Sequence, residues 1–100
     1  MVLHWDSRVN EGMQIRRNGI CIDVIIKNIT GSHQHRKADL EIRCKGLFWK
    51  MSLSSHNGPI ILADDLKLEI SKKYVPGSKK VSIDYYFRTG DYLHAERYFT

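Results

Sequence analysis

The sequence predicts an all-β domain, a small antiparallel barrel or sandwich of about 7–9 short strands. Apolar and polar residues alternate with a period of two in run after run. Ala38-Asp39-Leu40-Glu41-Ile42-Arg43-Cys44 is the clearest case, with Ala38, Leu40, Ile42 and Cys44 on one side. These runs recur roughly every ten residues between Gly-, Pro- and Asn-containing turns. No segment holds a helical apolar period over about a dozen residues.

Taken in order, Val2 to Trp5 alternates weakly and reads as a short strand, and Asp6 to Gly12 is polar and turn-rich. Asn18-Gly19 lies between Met13-Gln14-Ile15 and the long run Ile20 to Ile26, and such a pair adopts the two positive φ angles of a type I′ hairpin. In that run Ile20, Ile22, Val24 and Ile26 face a core, while Cys21, Asp23, Ile25 and Lys27 form a mixed face. Thr30-Gly31-Ser32 ends it, and His33 to Lys37 is a basic loop. Lys45-Gly46 turns the next strand into one where Leu47, Trp49, Met51 and Leu53 share a face. After the loop Ser54 to Pro59 come Ile60 to Leu62, then Leu66 to Ser71, the turn Val75-Pro76-Gly77-Ser78, and Lys80 to Arg88. Beyond Thr89-Gly90-Asp91, the aromatic tail Tyr92 to Phe99 fits a last strand or one helical turn.

One hundred residues make a single β domain with one core, spanning 1–100. Sixteen Lys and Arg against eleven Asp and Glu give a formal charge of +5, which suits an acidic partner such as nucleic acid. Neither a secretory leader nor an apolar run near 18 residues stands in the sequence, so the expectation is a cytoplasmic protein with no membrane contact. Cys21 and Cys44 fall inside strand patterns and are expected to be small buried thiols rather than a disulfide.

Few residues are arranged for chemistry. His33 and His35 have no further ligand at metal-site spacing, and Ser54-Ser55-His56 lacks a nucleophile elbow, so neither a cofactor, a metal nor an enzyme is expected. Asn28-Ile29-Thr30 is an accidental sequon in such a chain. Cations at strand ends and turns are more informative, because they reach phosphates without burying charge. These are Arg8, Arg16, Arg17, the loop holding Arg36 and Lys37, and Lys72, Lys73, Lys79 and Lys80 around the Pro-Gly turn. Trp5, Tyr85, Tyr86, Tyr92 and Tyr98 are candidate faces for stacking bases.

Leu3, the turn Arg8-Val9-Asn10-Glu11, Met13 to Ile15, the strand Ile20 to Ile26 and Ile29-Thr30-Gly31 together resemble the carbon storage regulator (CsrA/RsmA) family. Its members are small β proteins that bind GGA-containing messenger RNA leaders and form intertwined dimers. The tail Leu93-His94-Ala95-Glu96-Arg97-Tyr98 is similar to the closing stretch of that family. The chain departs from the pattern in its length, in Asn10 at the turn glycine, in Asp6-Ser7, and in Ala95 where the family places an RNA-touching arginine. The resemblance implies an RNA edge at Leu3, Arg8, His94 and Arg97, and Trp5, Arg16, Arg17, Arg36 and Lys37 join the expected site on their own chemistry.

Sliding the chain against itself by about 46 residues lays Gly12 on Gly58, Ile15 on Ile61, and Ile20, Ile22 and Val24 on Leu66, Leu68 and Ile70. That echo suggests a pseudo-two-fold internal repeat with halves 1–50 and 51–100, a family dimer duplicated within one chain. The expected function is that of a non-enzymatic, RNA-binding translational regulator, with single-stranded or hairpin RNA as partner. The alternative is a protein-interaction module, such as a phage-encoded inhibitor or structural β-sandwich, pairing through an exposed strand edge with another protein or with a second copy as a homodimer.

Overall fold

Nine strands and no helix form among the residues that the computed structural model describes, which are 2–17, 19–32, 35–63, 66–71, 79–87 and 93–99; at positions 17, 20, 63 and 93 only the backbone is described. They are β1 (Val2–Arg8), β2 (Glu11–Arg17), β3 (Ile20–Thr30), β4 (Lys37–Cys44), β5 (Leu47–Ser54), β6 (Ile60–Ala63), β7 (Leu66–Ile70), β8 (Lys80–Phe87) and β9 (Leu93–Phe99). Every pairing is antiparallel. One sheet runs β1-β8-β7-β6 and the other β5-β4-β3-β2-β9, so the fold is an all-β sandwich rather than a closed barrel.

Local chemistry sets the hairpins. Lys45 and Gly46 both hold positive φ, 52° and 77°, and Cys44 faces Leu47 across that two-residue turn, as a type I′ hairpin requires. Arg17 faces Ile20 around Gly19 at φ 77°; Asn18 lies outside the described residues. The expected turn-rich stretch from Asp6 to Gly12 is in fact almost all strand, because only Val9 and Asn10 turn. Asn10 takes φ 71°, a left-handed angle that asparagine tolerates, and its N–H donates to the Ile26 carbonyl at 2.8 Å. This corner carries the chain from one sheet to the other. The tail is a strand, β9, and not a helical turn. The expected turns at Val75-Pro76-Gly77-Ser78 and Thr89-Gly90-Asp91 lie outside the described residues, as do His33, Lys72, Lys73 and Tyr92.

Between the sheets, Met13, Ile15, Val24, Ile26, Ala38, Leu40, Ile42 and Leu53 meet Leu66, Leu68, Ile70, Val81, Ile83, Tyr85 and Phe87 in one buried cluster. Tyr85, a candidate stacking face by sequence, is instead part of this core, since its position alternates inward with Ile83 and Phe87. Ile25 points away from the core and is nevertheless buried. Its neighbour across β2 is Gly12, and Tyr98 of β9 lies over that glycine: a Cβ added there would fall 2.4 Å from the Tyr98 Cζ. A glycine near the start of β2 thus lets the tyrosine ring reach inward across the sheet's outer face. Cys21 and Cys44 are free thiols, and their neighbouring positions on β3 and β4 alternate to opposite faces. No helix among the described residues is long and apolar enough to cross a membrane.

Candidate nucleic-acid interface

The edge strands β1 and β9 belong to different sheets, and one residue of β9 bridges them. Both run toward the Val9-Asn10 corner, because β1 ends there and the end of β9, Phe99, pairs with Glu11 just beyond it. Arg97 joins the two strands. Its guanidinium lies over the Trp5 ring at 4.7 Å from the centroid, its Nη2 donates to the Asp6 carbonyl at 3.0 Å, and its Nε stands 3.6 Å from Glu11 Oε2. A cation over an indole is attracted to the ring's negative face, and here the same cation also neutralises a carboxylate with little solvent contact.

Beneath that arginine the seam is largely closed to water. Glu11 Oε2 and Trp5 Nε1 are both enclosed and make no hydrogen bond among the described residues, so Arg97 is the charge that offsets Glu11. Burial pushes the Tyr85 hydroxyl well above its ordinary pKa; the Arg97 charge works against that rise and the Glu11 charge with it. Leu3 and Trp5 pack partly buried against the core. Arg97 is therefore committed to holding the seam.

Solvent-facing cations lie toward the two ends of this side. At the corner end Arg8 is exposed and pairs in register with Lys80, next to exposed Lys79. At the far end Arg16 and His94 face each other across β2 and β9. Arg16 donates to Gln14 Oε1 at 2.7 Å, and His94 Nε2 is 3.7 Å from Glu96 Oε2. The run from Leu3 to Arg8 is about 17 Å of extended strand. The backbone of Arg17 closes β2; its side chain lies outside the described residues.

Two predicted residues stand apart, at the start of β4. Arg36 is 8% exposed and its Nη1 donates to the Gly31 carbonyl at 2.7 Å, while its own carbonyl accepts from the Ser55 N–H at 3.0 Å. It ties the turn after β3 to the loop after β5, a packing role that a basic loop does not reveal in sequence. Lys37 is exposed, 4.0 Å from Asp39. Next to it the rings of His35 and His56 stack with centroids 4.5 Å apart. Among the described residues no three His, Cys, Asp or Glu side chains come together as a metal site.

The outer face of the four-stranded sheet carries Arg8 and Lys80 at its corner end and a network of carboxylates beyond them. His4 Nδ1 lies 2.7 Å from Asp84 and its Nε2 3.2 Å from Asp6, Ser82 donates to Asp6, and Tyr86 donates to Glu69 at 2.8 Å under Lys67. The hydrogen bond to Glu69 also raises the Tyr86 pKa. This network went unseen in sequence because it depends on the β1–β8 register, which joins the two ends of the chain. On the other sheet a shallow groove of about 440 Å³ opens beside the β3 bulge, lined by Lys27, Asn28, Asp39, Lys50, Met51 and Ser52. No family model, curated protein or solved structure matches the chain.

Proposed function

We propose that this protein is a non-enzymatic binder of single-stranded or hairpin RNA, acting as a cytoplasmic translational regulator of the carbon storage regulator kind. The observation that carries the reading is the convergence of β1 and β9. The strands whose residues resemble the first and last strands of that family are bridged by Arg97, which lies over Trp5 and donates to the Asp6 carbonyl. Exposed Arg8 and Lys79 with half-buried Lys80 at the corner of one sheet, and exposed Arg16 and His94 on the outer face of the other, supply positive charge on either side of that seam.

The strand order also favours a duplicated, intertwined ancestor. In the halves β1–β4 and β5–β8, the first strand of each pairs with the last strand of the other: β1 with β8, and β5 with β4. Asn10, where the family has glycine, keeps the positive φ that a glycine would supply. The absence of an arginine at Ala95 shifts the burden of phosphate contact to Arg8 and His94.

Fluorescence anisotropy with a GGA-containing hairpin RNA tests the proposal. Binding at micromolar protein or below is expected at low salt, weakening with a slope near −0.7 for each single-stranded phosphate neutralised. Arg8→Ala is expected to lower affinity about fivefold and flatten the slope by roughly one contact. If RNA binding is absent at low salt, the reading is wrong.

A further inference from the structure

Two exposed histidines from separate loops meet at their ring nitrogens. His35, in the turn after β3, brings its Nδ1 to 2.5 Å from Nε2 of His56, in the loop after β5, with the rings 12° from parallel. Nitrogens at this separation cannot meet lone pair to lone pair, nor with a proton on each; one electrophile lies between them. A proton fills that place, and so does a metal ion. The other two histidines among the described residues face carboxylates, His4 those of Asp6 and Asp84 and His94 that of Glu96.

The strand register produces the meeting. Lys37 is the partner of Ser54 at the end of the β4–β5 ladder, and the next residues continue it: the Ser55 N–H donates to the Arg36 carbonyl at 3.0 Å. One step further His35 stands across from His56, as side chains directly opposite on an antiparallel pair do. The frame beneath is firm. A Cβ at Gly31 would fall 2.0 Å from the His35 carbonyl oxygen, so glycine there allows the turn to fold back, and the His35 N–H donates to the Ser32 carbonyl at 3.0 Å. Buried Arg36 holds the Gly31 carbonyl. The spacing of His33 and His35 predicted no metal site because the second ligand lies 21 residues on, in the other loop.

We propose that His35 and His56 form a cross-strand two-histidine site for a divalent transition ion of the zinc class, with water completing the coordination. Metal–nitrogen bonds of about 2.0–2.1 Å set two tetrahedral ligands about 3.3 Å apart, so the pair opens by less than about 1 Å. Two exposed rings reach that by small rotations. Neutral imidazole suits zinc, nickel and copper, whereas magnesium and calcium take oxygen ligands. Lys37, two residues along the same face, is drawn toward Asp39 at 4.0 Å but still opposes a cation. Two protein ligands beside a lysine fit a dissociation constant on the order of 10–100 µM, far weaker than a closed four-ligand site. The bound ion would clip the turn after β3 to the loop after β5.

Isothermal titration of the full chain with zinc chloride, and with magnesium chloride as a control, tests the site. One zinc ion per chain and no binding of magnesium are expected. His35→Ala and His56→Ala should each weaken zinc binding at least tenfold, while Cys21→Ser with Cys44→Ser leaves it unchanged. Unaltered circular dichroism melts in metal-free buffer show that the variants fold. Zinc-induced shifts in the histidine ring signals of the unsubstituted chain, confined to His35 and His56, read the same site by NMR. A chain that binds no zinc at 1 mM overturns the proposal. So does binding that survives either histidine substitution or that needs the cysteines.

Discussion

The Tyr98 ring fills the space in which a side chain at Gly12 would begin, since a Cβ there would lie 2.4 Å from Cζ and 2.7 Å from Cε2. The pairing is specific to this position: Gly12 is the register partner of both Tyr98 and Ile25, and Ile25 is buried on the outer face of the sheet beside buried Glu41. Burial and the neighbouring Asp23 raise the Tyr98 pKa, consistent with a ring held against the sheet.

Gly12→Ala therefore drives the ring off the sheet and uncovers Ile25. A loss of about 1–2 kcal/mol in urea-unfolding free energy is expected. In a Tyr98→Ala background the sign reverses. There the same substitution gains a few tenths of a kcal/mol, because alanine in a strand has less conformational entropy to lose than glycine. A cost of similar size in both backgrounds would show that the ring does not occupy that space.

Glu11 depends on Arg97 for its charge partner. Arg97→Met leaves a carboxylate with little solvent contact uncompensated and is expected to cost about 3 kcal/mol. Glu11→Gln combined with Arg97→Met should recover most of that loss, since an amide needs no counter-charge. Chemical denaturation of the two singles and the double measures the coupling. Additive losses would mean that the 3.6 Å pair contributes nothing.

Tyr85 sets the response to alkali. Its folded pKa lies well above the ordinary value, with burial as the main cause. The unfolded chain then releases this proton near pH 10 while the folded chain keeps it. The contribution is full below about pH 10 and is lost as pH climbs toward the folded value, at up to about 1.4 kcal/mol per pH unit. Urea titrations from pH 9 to 11.5 should show this fall, and Tyr85→Phe should shallow it. An unchanged slope in the variant would remove Tyr85 as the cause.

The alternating runs made the strands legible in the sequence, because a half-buried strand writes its period locally. Ala38 to Cys44 and the Lys45-Gly46 hairpin match β4 and its turn to β5. Long-range pairing left no such trace. Nothing near Val2 announces that its strand pairs with β8, nothing near Gly12 announces Tyr98, and Ile25 reads as mixed-face because its cover comes from the tail. The candidate edge was legible as residue types, Trp5, Arg8 and Arg97 among them. Their division of labour was not. Whether a cation serves packing, as Arg36 does, or faces solvent, as Arg8 does, depends on loops that meet only in three dimensions.

The pairing of β1 with β8 also dictates an order of events during synthesis. β2 to β5 can assemble as successive hairpins while the chain emerges, but β1 has no partner until Lys80 to Phe87 has been made. β9 must then close over β2. A strand made before β2 to β5 is thus seated after them, which makes folding slow for a domain of this size and leaves Trp5 available to chaperones until β8 has been made.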